Sequence, residues 1–260
     1  VSVEQWSGKH LPYTDNLVNL LVSENFPKVT MAEVLRVLAP NGVAYIKETQ
    51  PGKAVPQWKK TVKPRPKEID EWTHFLHDAS NNAVAHDSVV GPPRYMQWLA
   101  APTWSRHHHT LASISSVVSA GGRIFYILDE ATAANMAVPG KWSLLARGAF
   151  NGVLLWKRPM ASWAYHRKGF RAGPVQLPRT LIAAKDRVYA PLAMNAPVSA
   201  LDAATGKIVR TYKDTKGAEE LILHEGVLLV VAGSPMAEQA GVDPAHRGKA
   251  KFPNEKTIVA

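Results

Sequence analysis

The sequence has no cysteine and no long apolar run. Without cysteine, these 260 residues form no disulfide, no thiolate zinc site and no cysteine nucleophile. No stretch approaches the roughly 20 consecutive apolar residues of a membrane-spanning helix, so we predict no transmembrane segment. The chain begins Val-Ser-Val-Glu, without an initiator methionine or a signal-peptide pattern. We therefore expect a piece of a longer protein.

Acidic residues are the scarcer charged class, with 21 against 31 basic residues and a formal net charge of +10. This balance favours acidic partners without naming one. Part of the excess lies in one proline-rich segment, at Lys53, Lys59, Lys60, Lys63, Arg65 and Lys67. Only Trp58 interrupts it, whereas a nucleic-acid surface interleaves basic and aromatic residues on a folded face. We interpret residues 51–67 as a solvated Pro/Lys-rich linker and predict no nucleic-acid partner.

The region before this linker has the pattern of an α/β sheet. The apolar residues 17–22 fit a strand buried on both faces of a parallel sheet, although a helix of that length also fits. Thr30 followed by Glu33 is a capping-box signature, which predicts the start of a helix. The Pro-Asn-Gly sequence at residues 40–42 ends that helix, and residues 43–46 form a second short strand.

Three segments here resemble the C-terminal half of class I methyltransferases that use S-adenosylmethionine: residues 11–16, 18–22 and 36–42. The resemblance implies a Rossmann-type segment. It stops short of the cofactor site, because the family's Gly-rich turn and ribose-binding acid have no counterpart. Ser7 stands where the family has its adenine-side acid, and Val18-Asn19 replaces its Phe-Asp pair. We therefore expect the S-adenosylmethionine site to be incomplete in this chain.

The remainder of the chain is repetitive. Residues 146–156 align position by position with residues 200–210, 54 residues later, and a third unit begins with residues 220–231. Each copy reads as a strand, a tight turn with short polar residues and glycine, and a second strand. Repeats of this size with several short strands predict β-propeller blades. Two or three blades do not close a ring.

The two copies resemble the tryptophan-docking motif of quinoprotein alcohol dehydrogenases, which bind pyrroloquinoline quinone (PQQ), and of their non-catalytic relatives. That motif is Ala-x-Asp-x-x-Thr-Gly-x-x-x-Trp, and its tryptophan packs on the turn of the next blade. The resemblance thus implies a structural docking role for the residues that this chain keeps: Ala146, Gly152, Trp156, Ala200, Asp202, Thr205 and Gly206. Gly148 and Asn151 replace Asp and Thr in the first copy, and Arg210 replaces Trp in the second.

Two further segments resemble the same family. Residues 71–75 with residues 81–84 are similar to the entry segment of such propellers, and residues 256–260 to the strand before a third docking motif. If Ala260 opens that motif, the chain ends within a blade. The family's dehydrogenases also use calcium and an aspartate base. No residue here aligns with either, so catalytic and cofactor-binding residues stay unassigned.

Two groups of histidine and aromatic residues are candidates for a chemical role. In the triplet at residues 107–109, alternation along a strand lets at most His107 and His109 share an ion, and we favour a polar or packing role over a metal site. A second set of residues could line a central funnel and stack on a flat anionic quinone. For each residue taken singly, we favour a packing or surface role. The members of this set are Trp104, Arg106, Trp163, Tyr165, His166 and Arg167.

The sequence therefore predicts a mixed fold, with a partial α/β segment at residues 1–50, the linker at 51–67 and incomplete, all-β propeller blades at 68–260. The favoured function is a PQQ-like repeat module that acts as a binding or scaffold domain. The alternatives are a PQQ- and calcium-dependent oxidoreductase in the full-length protein, and methyl transfer by the first module. Expected partners are the remaining blades of the same full-length chain and a small-molecule, protein or glycan ligand. The resemblance implies export to the periplasm of Gram-negative bacteria.

Overall fold

The computed structural model of the chain describes residues 3, 5–6, 8–24, 29–48, 57–89, 91, 96–101, 103, 113–131, 140–161, 176–233 and 255–260. The chain divides into two compact units, unit 1 (Val1–Ile69 with Asp87–Trp98) and unit 2 (Asp70–His86 with Leu99–Ala260). Strands dominate, with two short helices among the described residues. No helix in these ranges is long and apolar enough to cross a membrane.

Unit 1 is built on a three-stranded sheet with one helix. Its elements in chain order are β1 (Val18–Ser23), α1 (Met31–Val37), β2 (Leu38–Glu48) and β3 (Gln57–Val62). β1 runs parallel to β2, and β3 pairs antiparallel with the other edge of β2. The helix begins where the capping box predicts, because the Thr30 side chain accepts a hydrogen bond from the Glu33 N–H at 3.2 Å. The predicted order of strand, helix and strand is present.

Unit 1 differs from the sequence prediction at two points. The helix ends at Val37, before the Pro-Asn-Gly sequence, because Leu38 takes extended backbone angles and joins β2. β1 is not buried on both faces, since Leu20 is 57% exposed and Val22 58% exposed. The opposite face of the sheet packs on the helix in one apolar cluster. That cluster contains Val34, Leu38, Ala44 and Ile46.

Part of the predicted linker is a strand. β3 pairs with β2 from Glu48 opposite Gln57 to Val43 opposite Val62. Its side chains are nearly all exposed, which explains why its composition resembles that of a solvated segment. Charged side chains are common on an edge strand, where they discourage pairing with other chains.

Unit 2 contains three antiparallel sheets in sequence order. Sheet I consists of β4 (Ile114–Ala120), β5 (Arg123–Asp129), β6 (Trp142–Gly148) and β7 (Leu154–Pro159). Sheet II consists of β8 (Ile182–Ala184), β9 (Arg187–Pro191), β10 (Val198–Asp202) and β11 (Ile208–Thr211). Sheet III consists of β12 (Ala218–His224), β13 (Val227–Ala232) and β14 (Thr257–Val259). A short helix, α2 (Gln176–Arg179), precedes sheet II.

Each sheet is a simple meander, and none of the sheets closes on itself in the described residues. The first strands of successive sheets are neighbours, since β4 contacts β8 and β8 contacts β12. One apolar cluster spans sheets I and II and includes Phe125, Leu144, Leu177, Val188 and Leu201. A second links sheets II and III through Ile182, Val198, Leu221 and Val230. The observed fold is therefore mostly β, with separate antiparallel sheets that share cores.

Candidate functional site

Two turns occupy equivalent places in sheets I and II, between the third and fourth strands. Turn 1 (residues 148–153) joins β6 to β7, and turn 2 (residues 202–207) joins β10 to β11. In turn 1, the Gly148 N–H donates to Val153 O and the Gly152 N–H to Gly148 O, both at 2.9 Å; turn 2 has the same pair of bonds 54 residues later, each at 2.8 Å. Gly152 and Gly206 have φ of 67° and 69°. The repeat in the sequence is thus a repeat in backbone geometry.

The side chains that support the two turns differ. In turn 2, Asp202 Oδ1 accepts from the Thr205 hydroxyl at 2.7 Å, the Thr205 N–H at 2.8 Å and the Ala204 N–H at 3.2 Å. The Thr205 side chain, together with these backbone bonds, lowers the pKa of the Asp202 carboxyl. In turn 1, Asn151 Oδ1 occupies the space that a Cβ at Gly148 would need, and it accepts from the Val153 N–H at 3.2 Å. The equivalent bond in turn 2 runs from the Lys207 N–H to Thr205 Oγ1 at 3.4 Å.

Trp156 of sheet I lies on turn 2 of sheet II. Its indole N–H donates to Ala203 O at 3.0 Å, and a Cβ at Gly206 would stand 2.6 Å from the indole ring. Arg158, two residues further along β7, donates to Gly206 O at 3.2 Å. Any side chain larger than hydrogen at residue 206 collides with the indole. We refer to the contact of Trp156 and Arg158 with turn 2 as the indole seam.

The other residues of the two motifs lie beside these contacts. Ala146 is fully buried and pairs across the strands with Trp156. Ala200 occupies the equivalent position on β10, opposite Arg210. The Arg210 guanidinium lies 4.9 Å from the centre of the Tyr212 ring. The structure therefore places Trp156 with turn 2, whereas Gly152 belongs to turn 1.

A second junction lies at the first strands of the sheets. The bridging segment (residues 71–74) bonds to all three: Trp72 O accepts from Ser119 N–H of β4 at 2.7 Å, and Thr73 O from Ala183 N–H of β8 at 3.0 Å. His74 Nε2 accepts from the Leu223 N–H of β12, 149 residues away in the chain, at 3.0 Å. Sequence reasoning recognised an entry segment here and missed these links. Only the resemblance could have indicated them, because such bonds leave no local periodicity.

Asp70 and His77 flank the bridging segment and form a pair in which His77 is buried and Asp70 is partly exposed. Asp70 Oδ2 lies 2.7 Å from His77 Nε2 and also accepts the His86 N–H at 2.6 Å. Burial by itself would raise the pKa of Asp70, but hydrogen bonds from the His86 and Glu71 amides and from His77 lower it overall. The His77 backbone has a φ of 73°, in the left-handed region. The pair orients the ring and ties residues 77–86 to the segment's start.

The remaining candidates lie outside the described residues. They are Ser7, the histidine triplet at residues 107–109, and the set Trp104, Arg106, Trp163, Tyr165, His166 and Arg167. Within the part of the chain that the structure describes, no three or more His, Asp or Glu side chains are grouped to hold a metal ion. The described residues therefore do not test the quinone-stacking or calcium hypotheses.

Comparison with known proteins finds a distant likeness among solved structures. No family model matches the chain, and no curated protein matches it. Among solved structures, a europium-containing methanol dehydrogenase is similar over 64% of this chain, at 14% identity and a TM-score of 0.41. The matched part spans 28% of that dehydrogenase chain. A likeness at this level carries no conclusion about activity, substrate or cofactor, and these comparisons lend no support to the methyltransferase resemblance.

Proposed function

We propose that residues 68–260 are blades of a PQQ-like repeat propeller that serves as a binding or scaffold module. The observation that carries the proposal is the indole seam, in which a strand of one four-stranded sheet holds the turn of the next. In this proposal Ala146, Gly152, Trp156, Ala200, Asp202, Thr205 and Gly206 are docking residues that hold blades together. Their role is structural, and none of them acts on a substrate.

Three features of unit 2 support the assignment of sheets I to III as blades. Sheets I and II are four-stranded meanders whose first strands lie side by side, as blades do around a propeller axis. The bridging segment crosses these first strands. Shared apolar clusters join each sheet to its successor, so that each blade buries its faces against its neighbours.

For residues 1–50 we propose an incomplete methyltransferase-like α/β segment. The parallel pairing of β1 with β2 around α1 supports its α/β character. It does not distinguish methyltransferases from other nucleotide folds, since folds of this class host many functions. We further propose that the full-length protein is exported to the periplasm, with its remaining blades as the first partner of this module and a protein, glycan or small molecule as its ligand.

The docking role is tested by a double-mutant cycle with Trp156→Leu and Gly206→Ala, measured as the free energy of unfolding in urea. Gly206→Ala alone is expected to cost about 2–4 kcal/mol, from left-handed strain and collision with the indole. In the Trp156→Leu background the collision is gone, so the two costs should be non-additive by about 0.5–3 kcal/mol.

The control is the same cycle with Gly226→Ala. Gly226 also has a positive φ, 85°, but an added Cβ there meets nothing within 4 Å. This second cycle should be additive within about 0.5 kcal/mol. Equal coupling in both cycles would mean that the indole contact does not lock the sheets together.

The functional assignment is tested by calorimetric titration of the full-length protein with PQQ, with and without calcium, and with S-adenosylmethionine in parallel. A scaffold module is expected to bind neither ligand. Calcium-dependent binding of PQQ would overturn the proposal in favour of the quinone-dependent oxidoreductase. Binding of S-adenosylmethionine would instead revive methyl transfer by the first module.

A further inference from the structure

The ring of His74 is a fixed link in a chain of hydrogen bonds. Its Nε2 accepts the Leu223 N–H at 3.0 Å, and its Nδ1 lies 2.7 Å from Thr73 Oγ1. The Thr73 hydroxyl also lies 3.2 Å from His77 O, to which it donates. Since the hydroxyl proton is used there, Thr73 Oγ1 accepts from His74 Nδ1–H. The ring is therefore neutral, with its proton on Nδ1 and its lone pair on Nε2.

A second proton on this ring has no acceptor. It would bind at Nε2, where the Leu223 amide already points its own hydrogen, so that two donors would face each other. His74 is 5% exposed, so water does not replace the lost acceptor without the site opening. Burial lowers the pKa of His74, with a further lowering from His77 that a nearby Asp78 opposes. The folded protein thus resists protonation at the place where the bridging segment meets sheet III.

We propose that His74 is a pH-sensitive latch that holds sheet III to the bridging segment while neutral and releases it when protonated. Of the hydrogen bonds that residues 72–74 make to the three first strands, the bond to β12 depends on a titratable side chain. The Glu71 carboxylate also accepts a bond, from the Gly121 N–H in the turn after β4, at 2.7 Å. The contacts to β4 and β8 use backbone carbonyls of Trp72 and Thr73. Acid therefore loosens sheet III selectively and leaves sheets I and II joined.

The charged groups around His74 do not duplicate its bond to the Leu223 N–H. On β12, Glu220 is paired with Arg179 of α2 at 2.7 Å, and Glu219 is paired with Lys256. β8 carries no titratable side chain. The remaining titratable groups, on the bridging segment and its continuation and at the end of β12, are Asp70, Glu71, His77, Asp78 and His224.

The sign of the effect follows from the lowered pKa. Above the unfolded value of 6.5, both the closed and the open state are neutral and the latch has its full strength. As the pH falls through that value, the open state takes up a proton that the closed state refuses, and closure weakens. Between pH 7.5 and 5.5 the equilibrium constant for opening should therefore rise, by up to about tenfold.

The test is amide hydrogen exchange of the full chain at these two pH values, corrected for intrinsic exchange rates. In the wild type, residues 218–224 should lose protection at the lower pH, by up to about tenfold, whereas residues 123–129 of sheet I keep theirs. His74→Gln places near the Nε2 position an amide oxygen, which accepts a hydrogen bond and does not titrate. In this variant the protection of residues 218–224 should be nearly independent of pH. His224→Gln, at a largely exposed histidine on the same strand, is the matched control and should respond like the wild type.

Three results would overturn the latch: a flat response in the wild type, the wild-type response in His74→Gln, or equal loss of protection in sheet I. Imidazole nitrogen shifts in the wild type provide a check that does not depend on any variant folding. They should show His74 with its proton on Nδ1 at pH 7.5. An Nε2-protonated ring at that pH would contradict the proposal directly.

Discussion

At the scale of single residues, the two docking turns show how one backbone geometry is reached with different side chains. Turn 2 uses the Asp202 carboxylate as the acceptor for the turn's own donors. Turn 1 has no side chain at Gly148, and its Asn151 amide oxygen accepts from the Val153 N–H, as Thr205 Oγ1 accepts from the Lys207 N–H in turn 2. The first copy therefore keeps the backbone geometry of the turn without an acidic side chain at residue 148, and the two turns lead to two predictions.

The first prediction concerns how the contribution of turn 2 to stability changes with pH. Because the pKa of Asp202 is lowered in the folded state, its contribution to stability is complete above the unfolded value of 3.8 and is lost as the pH falls through the folded value. Asp202→Asn should reduce this loss, since the amide keeps an acceptor without a titrating charge. The free energy of unfolding in urea, compared between neutral and acid pH, measures this loss of stability.

Thr205→Val is the companion variant in this experiment. The Thr205 hydroxyl is the largest cause of the lowered pKa, so its removal should weaken the acid dependence in the same direction. Adding Asp202→Asn to Thr205→Val should then change the slope less than it does in the wild type. An unchanged slope in both single variants would show that the turn does not stabilise the carboxylate.

The second concerns turn 1. Gly148→Asp alone forces Asn151 to move and breaks its bond to Val153, so it should not stabilise the protein. Gly148→Asp with Asn151→Thr recreates the Asp-Thr pair of turn 2 and should be more stable than Gly148→Asp by about 0.5–1.5 kcal/mol. Urea unfolding of the four variants in the cycle measures this. If the effects of the two substitutions on the free energy of unfolding are strictly additive, the side chains at residues 148 and 151 do not interact.

At the scale of elements, strand pairing shows that a segment with the composition of a linker is part of a sheet. β3 carries the basic, proline-flanked sequence of a linker, yet residues 57–62 form a ladder with β2. The Lys47 ammonium lies 5.9 Å from the centre of the Trp58 ring, and the Lys60 ammonium 5.9 Å from that of Tyr45. These side chains cover aromatic rings on the sheet, whereas an isolated linker would leave them in water.

This assignment predicts where a protease cuts. Trypsin should cleave after Lys67, in an exposed turn, before it cleaves after Lys59 or Lys60, because cleavage requires that the β3 backbone leave its ladder. Mass spectrometry of a time course under native conditions measures the order. The chain unfolded in urea serves as the control for intrinsic cleavage rates. Early native cleavage within residues 57–62 would show that β3 does not form.

At the scale of the whole molecule, the two compact units have separate hydrophobic clusters. Leu38 is fully buried in the cluster of unit 1, and Leu144 is fully buried in the cluster that spans sheets I and II. Each cluster is drawn from its own unit. Stability is therefore expected to be distributed over two cooperative regions rather than one.

Leucine-to-alanine substitutions test this expectation. Leu38→Ala and Leu144→Ala should each cost about 2–5 kcal/mol in the unit that contains them, through lost burial and a residual cavity. Hydrogen exchange read by mass spectrometry should then speed up in β1 and β2 for Leu38→Ala, and in sheet I for Leu144→Ala. Faster exchange throughout the chain from either variant would indicate a single cooperative unit.

The local features of this protein can be predicted from the sequence. The capping box at Thr30, the strand, helix and strand order around it, and the glycines at residues 152 and 206 all follow from short-range chemistry. The spacing of the two copies also predicts that turns 1 and 2 are alike. Capping and left-handed glycine depend on neighbours a few residues away, so one sequence is enough to predict them.

Which elements contact one another is visible in the folded structure and not in the sequence. No local pattern could show that residues 57–62 pair with β2, that β1 is exposed on one face, or that His74 reaches Leu223. The Trp156 ring needs the turn of a different sheet, and a motif indicates such a contact only by resemblance. These contacts join residues far apart in sequence. The burial and hydrogen bonds that stabilise them exist only after the chain has brought those distant residues together.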